Sequence, residues 1–406
     1  MGRRPRLLPA VGTARNLLVA SLEGILAEPA PRNGRGSGGP DAPSGDTATS
    51  VAPEGPARDA AGAAPSEATL PSKGLPLVLV ACSGGPDSLA LAAVAAHLAQ
   101  TGRCRVGAVV VDHGLQPGSA ATAEWAADAA RGLGLDPVEV HRVAVDGDGM
   151  GPEAAARSAR YAALDAAAGR LGAAAVLLGH TLDDQAEQVL LGLARGSGTR
   201  SLAGMPARRG LYLRPFLELR RADTEAICDF YHLDPWHDPS NLDPAFARSR
   251  VRGEVLPFLE DRLGPGIAQA LARTARILGQ DADLLEELSA EAYASLRIPG
   301  EDGAVLLPED GLRGLPAALR QRVLALAALE LGAFQPSSER LRAAESLLQR
   351  RGSAGPVQLG GKVSVHRQVR GRAVLRGEAS YGNLVLSNNG SNDGPGVTRS
   401  RRPTQE

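Results

Sequence analysis

The chain has 406 residues, which allow two to three domains, and 43% hydrophobic with 22% charged residues is a globular composition. A net charge of −1 excludes a uniformly basic nucleic-acid binder, although a local basic patch is compatible with it. Three cysteines without C-x-x-C spacing exclude a disulfide framework, a cysteine zinc site and a thioredoxin-type redox pair.

Residues 1–73 combine one apolar pattern with a low-complexity stretch. Apolar residues recur at near-helical spacing over residues 10–28 and predict one amphipathic helix. Gly, Pro, Ala, Ser and Asp dominate residues 31–72, which cannot bury enough apolar surface to offset their ordering entropy, so we expect a disordered linker. Arg15 and Glu23 interrupt any signal-peptide core, and no apolar run approaches the ~18 residues that cross a bilayer. We therefore expect a soluble, cytoplasmic protein with no membrane contact.

Short apolar runs alternate with longer helical patterns between residues 74 and 257. Predicted strands cover residues 75–82, 106–111, 138–145 and 174–178. Predicted helices cover residues 86–100, 120–133, 151–171 and 183–194. This alternation is typical of βαβ units, so we predict an α/β fold with a parallel sheet and helices on both faces. In such sheets ligands bind beyond the carboxyl ends of the strands.

A smaller helical domain with a basic β-hairpin is predicted for residues 258–378. Helical patterns cover residues 267–288, 315–331 and 339–348. Short apolar runs between Gly-rich turns predict strands at residues 357–359, 362–367 and 373–375. The hairpin region contains no carboxylate and includes Arg367, Arg370 and Arg372. The Gly/Ser/Asn-rich composition of residues 379–406 predicts a disordered tail.

A glycine turn joins the first predicted strand of this body to its helix and consists of Ser83, Gly84, Gly85, Pro86, Asp87 and Ser88. Glycines allow a tight turn and close approach to a ligand, and the helix start offers free N–H donors. This combination suits a phosphate or pyrophosphate. The turn is not a Walker A loop, because no G-K-[ST] follows it. The alternative is an ordinary strand-to-helix turn capped by Ser or Asp.

The next strand ends in Asp112 and His113, a pair that can orient a nucleotide or take part in proton transfer. The alternative is a plain strand-end turn.

A further strand ends in a histidine and a group of carboxylates, namely His180, Asp183, Asp184 and Glu187. Asp184 and Glu187 share one helix face, so their charges concentrate where the sheet opens. Such a group suits Mg²⁺ or an ammonium group. The alternative is an acidic first helical turn that complements the helix dipole.

Two arginine groups are candidates for contacts with the phosphates of a nucleotide or RNA. Arg157 and Arg160 lie three residues apart, next to Tyr161. The second group, near the domain junction, consists of Arg248, Arg250 and Arg252. For both groups the alternative is a solvated arginine face.

Together these segments resemble the N-type ATP pyrophosphatases and, within them, the tRNA(Ile)-lysidine synthetases. The family's pyrophosphate loop, S-G-G-x-D-S, is matched by residues 83–88, and its V-D-H-G-L strand end is matched by residues 111–115. Its E-A-x-A-R-x-x-R-Y helix is matched at residues 153–161. Its G-H-H-x-D-D-Q-A-E-T segment is matched over residues 179–188, with two departures: Thr181 replaces the second histidine and Gln188 replaces the threonine. An R-P pair at 214–215 and a D-x-S-N element at 238–241 also fit, so the resemblance covers residues 76–376.

The resemblance implies a PP-loop domain of the adenine nucleotide alpha-hydrolase-like fold and a two-step ligation. ATP would adenylate C2 of the wobble cytidine in the CAU anticodon of tRNA(Ile), with release of PPi. The ε-amine of free L-lysine would then displace AMP, and the lysidine formed changes decoding from AUG to AUA. Mg²⁺ is a further implication of this hypothesis, and a homodimer is compatible with it.

The same resemblance gives each motif an expected role. Residues 83–88 would hold the β,γ-phosphates, and Asp87 with Asp184 would hold Mg²⁺. Asp183, Asp184 and Glu187 would orient the lysine amine, with His180 or Asp112 nearby for proton transfer. The arginines listed above would contact the α-phosphate or the tRNA.

Two alternatives remain open from the sequence. One is another PP-loop tRNA-modifying enzyme, such as a thiolase, although Cys82, Cys104 and Cys228 show no paired spacing. The other is a weakened tRNA- or nucleotide-binding homologue, because Thr181 removes an imidazole.

Overall fold

The computed structural model describes residues 8–26, 74–114, 118–145, 151–238, 243–350, 355–368 and 382–389. The chain divides into two compact units, residues 1–275 and 276–406. This division lies inside a long helix, later in the chain than the boundary predicted after residue 257. The predicted linker at residues 31–72 lies outside the described residues. Among the helices that are described, none has the length and apolar character needed to cross a membrane.

The first unit alternates strands and helices, as predicted. Its strands are β1 (Leu77–Ala81), β2 (Arg105–Asp112), β3 (Val138–Arg142), β4 (Ala175–Leu178), β5 (Arg208–Arg209) and β6 (Tyr212–Leu213). Its helices are α1 (Pro9–Ser21), α2 (Pro86–Ala99), α3 (Ser119–Gly132), α4 (Pro152–Leu171), α5 (Leu182–Ala194), α6 (Thr199–Leu202), α7 (Arg221–Phe230), α8 (Ala247–Arg250) and α9 (Leu256–Leu263). A π-helical turn, Val251–Val255, joins α8 to α9. The helix α10 (Ile267–Leu296) begins in this unit and continues into the second.

The six strands form one sheet in the order β3-β2-β1-β4-β6-β5. Its pairs are parallel except for β5 with β6, which is antiparallel. Ala81, at the end of β1, lies opposite Val109 of β2 and Leu178 of β4. The segments that follow β1, β2 and β4 therefore emerge at the same edge of the sheet.

Alternate residues of β1 face opposite sides of the sheet, because side chains along a strand point alternately up and down. Val78 and Val80 pack in a core cluster with residues of α1, α2, α3 and α7. Leu77 and Leu79 pack instead with residues of α4. Helices therefore cover both faces, which confirms the predicted α/β arrangement. The predicted N-terminal helix is part of this core, since Leu18 of α1 is fully buried.

The second unit combines helices with a five-stranded antiparallel sheet. Its strands are β7 (Ile298–Pro299), β8 (Val305–Pro308), β9 (Val357–Gly360), β10 (Val363–Arg367) and β11 (Asn383–Asn388), in the order β7-β8-β11-β10-β9. Its further helices are α11 (Glu309–Gly314), α12 (Ala317–Glu330) and α13 (Ser338–Ser346). The strands β9 and β10 form the predicted hairpin. The strand predicted at residues 373–375 lies outside the described residues.

The strand β11 differs from the prediction, because it lies within residues 379–406, where we expected a disordered tail. It pairs with β8 on one side and β10 on the other, so it is central to the sheet. Leu384 and Leu386 are fully buried in the core of the unit. This short alternation of apolar residues is surrounded by Gly, Ser and Asn, whose composition dominates the segment and hides the strand.

Candidate active site

The predicted phosphate loop connects β1 to α2 in a tight turn. Gly84 has a φ of +80°, and a Cβ there would lie 3.0 Å from the ring of Trp125. Gly85 is the N-cap of α2 and offers no side chain to satisfy the first N–H groups of the helix. Ser88 accepts a hydrogen bond from the Ser83 N–H (3.1 Å) and donates one to the Gly85 carbonyl (3.0 Å). The uncapped helix start favours a phosphate cradle over the alternative of a capped turn.

Both tryptophans of the chain lie against this loop. Trp125 reaches it from α3, and the backbone N–H of Trp236 donates a hydrogen bond to the Gly84 carbonyl (2.9 Å). Their exposed fractions are 37% and 43%. The loop thus packs against the indole of Trp125 and is hydrogen-bonded by the backbone of Trp236.

The end of β2 places Asp112 and His113 at the same sheet edge. Asp112 is buried and accepts a hydrogen bond from the Gly114 N–H (2.9 Å). Burial alone would raise the pKa of Asp112, but this N–H and nearby cations hold it below its ordinary value. Burial and the charge of Arg160 lower the pKa of His113.

The end of β4 brings the acidic segment against the phosphate loop. A Cβ at Gly179 would lie 2.9 Å from the Asp87 carbonyl oxygen, so only glycine allows this approach. Thr181, one of the two residues that depart from the family pattern, is fully buried and is the N-cap of α5. Asp184 accepts hydrogen bonds from the Thr181 N–H (2.8 Å) and hydroxyl (3.1 Å). The threonine therefore orients this carboxylate.

His180 is neutral at pH 7 in this setting. Its Nδ1 atom is buried and has no hydrogen-bond partner among the described residues. Burial, together with the charges of Arg214, Arg160 and Arg157, lowers its pKa to about 4, against the opposing effect of Asp184.

The three predicted lysine-binding carboxylates do not share one environment. Asp183 accepts hydrogen bonds from Arg220 Nε (3.0 Å) and the Arg221 N–H (2.8 Å), so it is engaged by the start of α7. Asp184 and Glu187 both contact Arg252, at 3.3 Å and 2.7 Å. The structure thus brings Asp184 and Glu187 together and directs Asp183 elsewhere.

The second arginine group pairs with these carboxylates. Glu187 is fully buried, and its carboxylate lies 2.7 Å from Arg252 Nε and 3.2 Å from Arg248 Nε. Arg252 lies within the π-helical turn and Arg248 in the helix α8 that precedes it, and such turns are frequent at functional sites. Arg250 instead donates to the Ala245 carbonyl (3.0 Å).

Two residues of α7 belong to the site although no sequence motif pointed to them. The Thr224 hydroxyl donates a hydrogen bond to Asp87 Oδ1 (2.5 Å). Arg221 Nε lies 3.6 Å from Asp87 Oδ2, and its Nη2 lies 3.4 Å from Asp184 Oδ1. Burial raises the pKa of Asp87, whereas Thr224 and Arg221 oppose that rise.

Arg157, Arg160 and Arg214 lie close enough to His180 for their charges to lower its pKa. Arg214, from the R-P pair, is buried and donates to the Pro206 carbonyl (2.9 Å). Arg157 lies over the ring of Tyr161, 5.2 Å from its centroid. Within the described part of the chain, no ion pair joins a carboxylate to Arg157, Arg160 or Arg214. These three arginines, which we call the cationic wall, therefore carry positive charge that is not paired with a carboxylate, and they favour binding of an anion.

The residues present fit a bound magnesium ion only in combination with phosphate. No group of three or more His, Cys, Asp and Glu side chains in the described ranges could hold a metal. Asp87 and Asp184 are close enough for the charge of one to raise the pKa of the other. Because Mg²⁺ binds through one or two carboxylates plus substrate phosphates, this pair suffices beside the phosphate loop.

The hairpin arginines lie in the second unit. Arg367 is the last residue of β10, opposite Leu384 of β11. Arg370 and Arg372 lie outside the described residues.

Comparison with known proteins assigns both parts of the chain. The family described as a PP-loop domain matches residues 64–259, and the TilS substrate binding domain matches residues 307–374. A tRNA(Ile)-lysidine synthase of Leifsonia xyli subsp. xyli is 54% identical over 293 residues, which are 72% of this chain and 87% of that protein. The chain belongs to the tRNA(Ile)-lysidine synthase family.

Other members of this family are similar over comparable lengths. The Salinispora tropica protein is 57% identical over 260 residues, which cover 63% of this chain and 77% of that protein. The Streptomyces coelicolor protein is 52% identical over 306 residues, which cover 74% of this chain and 85% of that protein. Among solved structures, the U34-tRNA thiolase NcsA from Methanococcus maripaludis has a TM-score of 0.43 and 19% identity, over 51% of this chain and 74% of that one.

Proposed function

We propose that this chain is a tRNA(Ile)-lysidine synthase. It uses ATP to adenylate C2 of the wobble cytidine in the CAU anticodon of tRNA(Ile) and then joins L-lysine to that carbon, releasing PPi and AMP. The observation that carries the proposal is the convergence of a phosphate loop, a neutral histidine and two carboxylates at one sheet edge. In a chain 54% identical to a named synthase, this convergence supports the same reaction.

Nucleotide binding rests on the loop and its neighbours. The N–H groups at the start of α2 and the hydroxyls of Ser83 and Ser88 would hold the β,γ-phosphates. Mg²⁺, held by Asp87 and Asp184, would neutralise charge on the phosphate oxygens. The wall of Arg157, Arg160 and Arg214 would hold the α-phosphate, whose charge remains on the adenylated cytidine.

Lysine binding rests on Asp184 and Glu187, whose charges suit an ammonium group. The ε-amine must be neutral to attack C2, so a proton acceptor is needed nearby. His180 is neutral and its buried Nδ1 is without a partner in the described structure, so it would accept the proton that the nitrogen releases as it bonds to C2. Asp112 and His113, at the end of β2, are the second choice. Asp183 would position α7 rather than contact lysine, because Arg220 and Arg221 engage it.

The tRNA contacts are assigned to basic segments of the chain. Residues 258–378, with Arg367, Arg370 and Arg372, would bind the RNA backbone, since arginine fits phosphate bidentately. Arg248, Arg250 and Arg252 remain candidates at the rim of the site, although Arg248 and Arg252 are paired with Glu187.

The test is incorporation of labelled lysine into acid-precipitable RNA, with ATP and unmodified tRNA(Ile) carrying a CAU anticodon. We expect label in proportion to AMP formed, and its loss in Asp87→Asn, because the loop then lacks its carboxylate. The matched control is Asp128→Asn, whose side chain is 73% exposed on α3 and which should incorporate label normally. Pyrophosphate release without lysine incorporation would instead indicate another base-modifying PP-loop enzyme.

The thiolase alternative receives no support from the cysteines. Cys82, Cys104 and Cys228 are all buried, and burial raises the pKa of each thiol. A relay of sulfur needs an accessible thiolate, which this setting disfavours. A weakened homologue that only binds tRNA would fail the incorporation test.

A further inference from the structure

Arg221 lies at the first position of α7, between carboxylates that belong to two other helices. Its guanidinium is 3.6 Å from Asp87, at the start of α2, and 3.4 Å and 3.8 Å from Asp184 and Glu187 of α5. Asp87 is also a member of the phosphate loop. Arg221 therefore lies between the proposed nucleotide site and the proposed lysine site.

The contacts of this guanidinium are loose. Charge-assisted N–H···O bonds are about 2.7–2.9 Å long, and Arg252 reaches Glu187 at 2.7 Å, whereas Arg221 has no contact this short with the three carboxylates. Its backbone is nevertheless fixed, because its N–H donates to Asp183 at 2.8 Å. The side chain is 23% exposed, so a ligand can reach it. The backbone thus fixes Arg221 at the site, while its guanidinium keeps the capacity to form short hydrogen bonds with a ligand.

The cluster is balanced in charge before any substrate binds. Its ion pairs join three carboxylates to three guanidinium groups, those of Asp87, Asp184, Glu187, Arg221, Arg248 and Arg252. A phosphate chain arriving alone would face the carboxylates, and a lysine ammonium arriving alone would compete with arginines already in place. When both bind, each compensates the charge that the other disturbs.

We propose that Arg221 couples nucleotide binding to lysine binding, by turning from Asp184 and Glu187 to the phosphate chain in the loop. This inference rests on the proposed function and adds to it a residue that couples the two ligands. Arginine suits this exchange because its planar fork binds carboxylate and phosphate in the same geometry. Asp184 and Glu187 keep their contacts with Arg252 but lose one cation each, so they then accept the ammonium group of lysine.

The coupling is reciprocal by thermodynamic necessity, so the nucleotide strengthens lysine binding by the same factor as lysine strengthens nucleotide binding. Such couplings typically change the affinity for the second ligand by about 5- to 150-fold. We expect a value in that range for the wild-type protein.

The experiment is calorimetric titration of the full chain with L-lysine, with and without saturating α,β-methylene-ATP, which cannot release pyrophosphate. Arg221→Gln should bind lysine with the same affinity in both conditions, close to that of the nucleotide-bound wild type. Arg221→Lys keeps the charge and the fold but cannot form the fork, so its coupling should fall well below the wild-type value. Arg195→Gln, at the exposed end of α5, is the matched control and should retain the full coupling. Melting curves show which variants fold.

Wild-type coupling in the folded Arg221 variants would overturn the inference. Equal lysine affinity with and without the analogue in the wild type would overturn it too, as would absence of lysine binding in a protein that still incorporates lysine into tRNA. The proposed function survives all three results. It fails only if lysine is not incorporated, which the labelling assay measures separately.

Discussion

Thr181 shows how one residue can depart from a family pattern and keep the local structure. The family usually has a second histidine here, whereas Thr181 caps α5 and donates to Asp184. Threonine is a good N-cap because its hydroxyl accepts from the N–H groups of the first turn. The imidazole that remains, His180, is neutral because burial and three arginines lower its pKa to about 4.

Thr224 is expected to set the acid limit of activity through Asp87. Burial raises the pKa of Asp87, and the Thr224 hydroxyl opposes that rise. In Thr224→Val the pKa of Asp87 rises further, so the ionised form is lost at higher pH as the solution is acidified. The acid limb of kcat/KM for pyrophosphate release should therefore move to higher pH. Thr274→Val, exposed on α10, should leave the profile in place; an unmoved limb in Thr224→Val would contradict this role.

At the scale of elements, α7 assembles the site. It supplies Arg221 and Thr224, and the N–H of its first residue donates to Asp183. It also packs on the same core as α1 and α2, through the fully buried Ile227. The helix was not predicted to be functional, because its arginine and threonine match no motif and gain meaning only from their neighbours.

The strand β11 makes a specific prediction about truncation. Chains ending at residue 381 lack the strand between β8 and β10, so Leu384 and Leu386 are lost from the core and neighbouring strands lose their partner. Burial of each leucine is worth about 1.5–3 kcal/mol. We expect the second unit to unfold, measured as loss of ellipticity and of one melting transition. Chains ending at residue 389 keep the strand and should melt like the full chain; equal melting of both truncations would refute the assignment.

At the scale of the whole molecule, the net charge is close to zero, although charged side chains are concentrated in particular segments. The net charge is only −1, and the arginines around Glu187 are matched by carboxylates. Affinity for tRNA must then come from local basic segments, and the hairpin region is one that combines several arginines with no carboxylate in its sequence.

Charge reversal in the hairpin should accordingly weaken tRNA binding and flatten its salt dependence. Each lost phosphate contact lowers the slope of log K against log salt by about 0.7–0.9. We expect weaker binding and a flatter slope in a triple variant in which Arg367, Arg370 and Arg372 are all replaced by Glu. The measurement is fluorescence anisotropy of labelled tRNA at several salt concentrations. The control reverses three arginines of the first unit, Arg131, Arg195 and Arg262. A slope unchanged in the hairpin variant would place the RNA contact elsewhere.

The sequence by itself determined the α/β unit, the glycine turn before α2 and the family, because these depend on residues that are neighbours along the chain. A continuous apolar run, a glycine turn and a helix start are adjacent in the chain, and β1 and α2 lie within a few residues of their predicted bounds. Only the tertiary structure decided which charges meet. Thr224 and Asp87 are 137 residues apart, Arg252 and Glu187 are 65 apart, and β11 is recognisable only between its partners. Ion pairs and strand pairing are long-range contacts, so their partners are chosen by packing rather than by any pattern along the chain.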